Sequence, residues 1–158
     1  MSQFHSLALL SRRAETARAQ LLEFALPPEL AEGYRAQAGQ HVVLRAARDG
    51  VELRRTYSVC SQSPRSFSIC VRADGGGRMS GWLCGLQPGQ RVDVLPPTGR
   101  FVIPPAAPAR RVLAIAAGIG ITPILAIVRR ALESADDAEV TLLYGSRSTD
   151  DTLFAEAL

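Results

Sequence analysis

Through the first hundred residues, apolar positions alternate with polar ones in short runs at 4–11, 17–26, 40–46, 53–61, 66–73 and 90–95. That is the period-two pattern of strands that bury one face. Turn-forming residues separate the runs: Pro27-Pro28, Gly39, Asp49-Gly50, Ser63-Pro64, Gly75-Gly76-Gly77 and Pro88-Gly89. Short strands punctuated so evenly predict a small barrel or sandwich, and six of them suit a closed barrel. Before the last strand, Met79, Trp82, Leu83 and Leu86 recur at helical spacing and predict a short helix laid along the barrel by one apolar stripe.

The grammar then changes. Pro104-Pro105-Ala106-Ala107-Pro108 is a stiff stretch that cannot donate to a sheet, and a linker is placed at 104–110. Beyond it come a continuously apolar strand (112–116), a glycine turn, a helix starting at Pro123, and a second apolar strand (140–144). This is the β-α-β grammar of a parallel sheet. The fold class is therefore β + α/β. Parallel sheets normally hold more strands and are covered on both faces, so two strands alone are expected to leave apolar surface bare.

Composition narrows the functional classes. With 158 residues, 47% of them hydrophobic and 21% charged, the chain is expected to fold, as one domain and part of a second or as one large domain. The most apolar run, 112–128, is broken by Gly118, Gly120, Thr122 and Pro123, so no membrane span is expected. The N-terminus has no signal-peptide pattern, which makes the cytoplasm the expected compartment. Cys60, Cys70 and Cys84 lack paired metal or redox spacing and read as buried free thiols, with no metal site. The net charge of +3 rests on arginine alone, because lysine is absent. Walker-type phosphate loops and Schiff-base chemistry are thereby excluded. The arginines are spread along the whole chain and only 6% of residues are aromatic, a poor basis for a nucleic-acid face.

Four stretches carry candidate chemistry. In Arg55-Thr56-Tyr57-Ser58, strand alternation puts Arg55 and Tyr57 on one side, pairing a bidentate phosphate ligand with a flat aromatic platform. Ser58 points to the other side unless the strand bends. Taken alone, the same residues also describe an ordinary barrel strand with an exposed arginine. Arg72-Ala73-Asp74-Gly75-Gly76-Gly77-Arg78-Met79-Ser80 runs from a strand through glycines into a helix, whose first amides and the Ser80 hydroxyl suit phosphate oxygens, with Arg72 adding charge; a plain turn is the alternative. Gly118-Ile119-Gly120-Ile121-Thr122-Pro123 joins strand to helix with the form of a nucleotide turn, Thr122 as N-cap and Pro123 at the first helical position. Tyr144-Gly145-Ser146-Arg147 closes the second parallel strand, at the sheet edge where open α/β folds take ligands; Arg147 could reach a phosphate there, and a solvated arginine is the alternative.

In this order, the four stretches resemble the ferredoxin–NADP reductase superfamily, and within it the reductase components of phenylacetyl-CoA oxygenases that act in phenylacetate degradation. The resemblance runs over essentially the whole chain, including Pro97-Thr98-Gly99-Arg100-Phe101, which matches the turn that closes the family's barrel. It implies a six-stranded Greek-key barrel binding FAD over 1–103, and the first β-α-β unit of a Rossmann-like NAD(P)-binding domain over 111–158. FAD is then assigned to Arg55, Tyr57, Ser58, Arg72, Gly77, Met79, Ser80 and Thr122. Of these, Ser58 and Thr122 would lie nearest the reacting part of the flavin. Gly118, Gly120, Pro123 and Arg147 fall to the nicotinamide nucleotide. Electrons would pass from NADPH or NADH through the flavin to an iron–sulfur partner or oxygenase component. Ile119 departs from the family's preference for a small hydroxyl residue. The family's later strands, its Cys-Gly-Pro motif and the plant-type ferredoxin domain have no counterpart in these 158 residues. A truncated reductase is therefore expected, either complemented by a separate C-terminal reductase chain or reduced to a non-catalytic flavin-binding remnant or interaction fragment.

Overall fold

A computed structural model describes residues 3–73, 75–103, 111–134 and 136–158. The predicted linker, 104–110, and Asp74 of the glycine-rich stretch lie outside the described residues. Six strands form a closed barrel: β1 (His5–Thr16), β2 (Ala19–Ala25), β3 (His41–Arg48), β4 (Val51–Ser63), β5 (Ser66–Arg72) and β6 (Arg91–Val94), in the spatial order β1-β2-β5-β4-β3-β6. Each strand places alternate residues inside, so Leu7, Leu9, Leu22, Phe24, Val42, Leu44, Ile69 and Val94 share one buried core. The two-residue β3–β4 turn, Asp49-Gly50, takes positive φ at both positions (50° and 74°), the backbone that a tight hairpin demands and that this dipeptide supplies.

β1 exceeds its predicted end by the most: it continues past Ser11 to Thr16, pairing through two register shifts with β2. Its second half, Ser11 to Ala14, is mostly exposed, so it lacks the apolar alternation by which a strand is recognised. The barrel interior also holds Tyr34, which lies on no predicted element. Its ring stacks on Phe67, and its hydroxyl donates to the Val94 carbonyl at 2.7 Å while the His5 ring nitrogen lies 3.1 Å from it. Those partners allow the phenol to be buried without leaving a polar atom unsatisfied.

The helix α1 (Arg78–Gly85) follows β5 and buries Met79 and Leu83 against the barrel, as the spacing predicts. The second unit consists of β7 (Arg111–Ala117), α2 (Ile121–Ser134) and β8 (Glu139–Gly145); β7 and β8 pair in parallel from Arg111↔Glu139 to Ala117↔Gly145. Ile121, Leu125, Val128 and Ala131 form the buried stripe of α2. A second core unites Ala116, Ile121, Leu125, Leu153 and Phe154 of this unit with Ala19, Cys60 and Cys70 of the barrel. The outer face of the two-stranded sheet is open, as expected: Leu113, Ile115 and Leu143 are all more than half exposed. No helix among the described residues is long and apolar enough to cross a membrane.

Candidate functional site

The site begins with a strand that changes partner. From Val51 to Ser58, β4 pairs only with β3, and its pairing with β5 starts at Val59↔Ile69, with a bulge before Ser61. β5 meanwhile continues to Arg72 paired with β2. The two strands therefore separate between Tyr57 and Cys70, and a cleft of about 280 Å³ opens there, walled by Arg55, Tyr57, Cys70 and Arg72 and floored by Gly77 to Ser80. Arg55 and Tyr57 do share one side, as alternation predicts.

Each wall has a definite chemistry. Arg55 is exposed and donates Nη1 to the neighbouring Arg54 carbonyl at 2.8 Å, leaving most of its fork for an anion. Tyr57 packs its ring on the barrel core; burial pushes its phenol up to about 12 against the opposing pull of Arg55. It is thus a neutral platform at physiological pH. At the floor, Gly77 is extended and offers no side-chain cap to α1, so the helix starts at the cleft with its first-turn amides uncapped by a side chain. The Ser80 hydroxyl makes only a long, 3.3 Å bond to the Gly77 carbonyl. Arg78 anchors this helix end to the β3–β4 turn by donating to Asp49 at 2.9 Å and to the Arg48 carbonyl at 2.7 Å.

A second cleft of about 390 Å³ lies at the carboxyl ends of β7 and β8, lined by Ala117, Gly118, Gly145, Ser146, Arg147 and Asp151, and Arg72 lines it too. Gly118 has φ +49°, and a Cβ there would sit 3.1 Å from Nη1 of Arg72. Glycine thus lets the barrel's guanidinium approach the turn. Behind Arg147, the Ser146 and Thr152 hydroxyls are 2.8 Å apart and Ser146 donates to the Ser148 carbonyl at 3.0 Å, which fixes the loop.

The sequence expectations divide accordingly. Arg55, Tyr57, Arg72, Gly77, Met79 and Ser80 come together on the first cleft, and Gly118 and Arg147 on the second. Ser58 and Thr122 do not line the first, nor Gly120 and Pro123 the second. Thr122 is not an N-cap: a 3-10 turn at Gly118–Gly120 has already begun the helix, α2 starts at Ile121, and the buried Thr122 hydroxyl donates to the Ile119 carbonyl at 3.0 Å. Pro123 likewise falls inside the first turn, beyond the first helical position. Cys70 is a cleft residue outside the quoted stretches, and Arg78 and Ile119 lie within them but were assigned no contact; strand alternation from Arg72 would have found Cys70.

The thiols are poised for packing, not reaction. Burial pushes the Cys60 thiol up to about 12 and raises those of Cys70 and Cys84, and thiolate is the reactive form. Native protein at neutral pH is expected to leave Cys60 and Cys70 unlabelled by a thiol reagent over the time that denatured protein is labelled fully. Rapid native labelling of Cys60 or Cys70 would contradict their burial. Because the folded value for Cys60 lies above the ordinary 9.0, its contribution to stability is complete below pH 9 and is lost as pH rises toward 12.

A cleft combining an exposed arginine, an aromatic platform and a helix start, joined through one guanidinium to a cleft at the carboxyl ends of a parallel sheet, has the layout of the FAD- and NAD-binding domains of oxidoreductases. The chain belongs to the oxidoreductase FAD-binding domain family, whose model matches residues 6–103, and an oxidoreductase NAD-binding domain model matches residues 114–158. It is 42% identical over 161 aligned positions to one of the subunits of the 1,2-phenylacetyl-CoA epoxidase of Escherichia coli, covering all of this chain and 45% of that protein. The ferredoxin reductase component of the Mycobacterium tuberculosis 3-ketosteroid-9-alpha-monooxygenase is 36% identical over 91% of this chain and 42% of its own length. Among solved structures, phthalate dioxygenase reductase, a modular protein for electron transfer from pyridine nucleotides to [2Fe-2S], superposes with a TM-score of 0.81 at 28% identity, over 98% of this chain and 47% of that one. The CS-b5R domains of human Ncb5or share the fold with a TM-score of 0.87 at 24% identity, over 99% of this chain and 47% of that one. The chain thus spans less than half the length of these relatives. Its two units correspond to the FAD-binding and NAD-binding domains of oxidoreductases of the ferredoxin reductase type.

Proposed function

We propose that this chain binds FAD in the cleft between β4 and β5 and takes the nicotinamide nucleotide in the adjoining cleft, as the front half of an oxygenase reductase. The supporting observation is that Arg72 lines both clefts, so the two nucleotide sites meet at a single charge. Bound FAD would supply the redox chemistry that links a two-electron donor, NADPH or NADH, to a one-electron iron–sulfur acceptor. The chain's own residues bind and orient. Arg55 and the α1 amides hold the pyrophosphate, Tyr57 supports the ring, and Met79 fills the floor. Arg147 and the Gly118–Gly120 turn serve the second nucleotide. Ser58 and Thr122, which stand off the cleft wall, act as positioning residues, Thr122 through the Ile119 carbonyl. The resemblance to the phenylacetyl-CoA epoxidase component supports an oxygenase of phenylacetate catabolism as the electron acceptor, in the cytoplasm. A complementing C-terminal reductase chain would cover the apolar face of Leu113, Ile115 and Leu143.

The test is the visible spectrum of the purified chain after incubation with FAD and desalting, followed by anaerobic addition of NADPH and then NADH. Retained flavin that bleaches is the expected result. Retention without bleaching would favour the non-catalytic flavin-binding remnant, and a folded protein that retains no flavin would defeat the proposal.

The Thr122 hydroxyl supports the Ile119 carbonyl, and Ile119 lies on the flavin cleft. Thr122→Ala removes one hydrogen bond, of net value about 0.5–1.5 kcal/mol. It is expected to slow flavin reduction severalfold while changing FAD affinity less. Stopped-flow reduction set beside FAD titration separates the two effects, and an affinity loss without a slower reduction would rule the assignment out.

A further inference from the structure

Two consecutive backbone amides near the end of the chain are held by side chains from different units. The Phe154 N–H donates to Oε1 of Glu15, on barrel strand β1, at 2.9 Å. The Leu153 N–H donates to the Tyr144 hydroxyl, on β8, at 3.2 Å. That hydroxyl in turn donates to the Gly118 carbonyl at 3.2 Å, and the same carbonyl accepts the Ile121 N–H that begins α2. Glu15 is no loose surface acid: its side chain is only 8% exposed and its other oxygen pairs with Arg13 at 3.1 Å. Phe154 adopts the left-handed conformation, φ 58°, ψ 28°, which is costly for a bulky residue and persists only where its surroundings hold it. With that backbone, the Leu153 and Phe154 side chains enter the core shared with Ala19, Cys60 and Cys70 of the barrel.

We propose that Glu15 is a positioning residue for the nucleotide turn: by clasping Phe154 it holds Leu153 and Tyr144 in place, and through Tyr144 it fixes the Gly118 carbonyl against the barrel. The clasp is directional. A carboxylate accepting a backbone N–H makes a charge-assisted bond, and its removal leaves a donor unsatisfied beside a strained residue. The connection from barrel to turn is then two sets of hydrogen bonds joined by the Leu153–Phe154 backbone, Phe154 to Glu15 on one side and Leu153 to Tyr144 to Gly118 on the other. Its consequence, resting on the functional reading above, is that the spacing between the two clefts is set from β1, remote from either ligand.

Amide hydrogen exchange on the full chain tests this without any cofactor. Glu15→Ala is expected to speed exchange at Phe154, Leu153 and Ile121 by roughly tenfold, the scale of a lost charge-assisted bond, while Leu22 and Leu44 in the barrel keep their native rates. Glu15→Gln, whose amide oxygen still accepts the Phe154 N–H, should restore most of the protection. If Glu15→Ala frees Phe154 alone and Ile121 exchanges as in the native chain, the clasp is local and the proposal is overturned. Exchange that rises equally in the barrel core would also overturn it, as general destabilisation. Should Glu15→Ala not fold, Tyr144→Phe carries the test: Leu153 and Ile121 must lose protection while Phe154, still held by Glu15, keeps it; native rates at Ile121 would reject the connection. A chain that took up no FAD would defeat the flavin reading and leave the exchange result standing.

Discussion

Arg55→Ala is expected to raise the dissociation constant for FAD by about one to two orders of magnitude, the effect of losing a charge-assisted phosphate contact worth about 1.5–3 kcal/mol. Stability should hardly change, because Arg55 is exposed and its hydrogen bond goes to the adjacent Arg54 carbonyl. That contrast gives the experiment its force. FAD titration of the refolded apoprotein, beside thermal unfolding without ligand, should show weaker binding at an unchanged Tm. Arg55→Lys should recover part of the affinity, since it restores the charge but not the planar fork. An alanine variant that bound FAD as the native chain does would remove Arg55 from the site and leave the cleft without its exposed phosphate ligand.

The difference between what could be read from the sequence and what could not follows the range of the interactions. The barrel strands were legible because burial on one face imposes period two, and Asp49-Gly50 because few dipeptides tolerate positive φ twice. Arg55 and Tyr57 were legible as a pair for the same local reason. The outer half of β1 was not, because a solvated hairpin bears no apolar stripe. Nor was Tyr34, whose place inside the barrel depends on Val94 and Phe67, far away in sequence. Thr122 had the residue type of an N-cap in the right place, but a 3-10 turn of two glycines and an isoleucine advanced the helix by about one turn. The cleft itself was invisible to pattern: it arises where β4 exchanges one neighbour for another, a property of pairing and not of composition. The bare face of the parallel sheet, by contrast, followed directly from counting strands.

The widest effect is expected from Arg72→Met, which keeps an aliphatic stem for packing but removes the charge common to both clefts. Ligands that carry pyrophosphates on either side of one guanidinium should both weaken, by roughly tenfold each on the scale of a hydrogen bond to a charged group. Arg55→Ala should weaken FAD alone, so the two variants together map which charge serves which nucleotide. Structure adds a second constraint: with Gly118 at φ +49° and its Cβ position 3.1 Å from Nη1, the turn is shaped around the guanidinium. A Gly118→Ala change should therefore disturb the second cleft even with Arg72 intact. The measurements are FAD affinity of the apoprotein and, on the FAD-loaded chain, affinity for whichever of NADP+ or NAD+ the native chain binds more tightly. If Arg72→Met weakened FAD and left the nicotinamide nucleotide unaffected, the clefts would not share this charge. Their meeting at Arg72 would then be a matter of shape and not of binding.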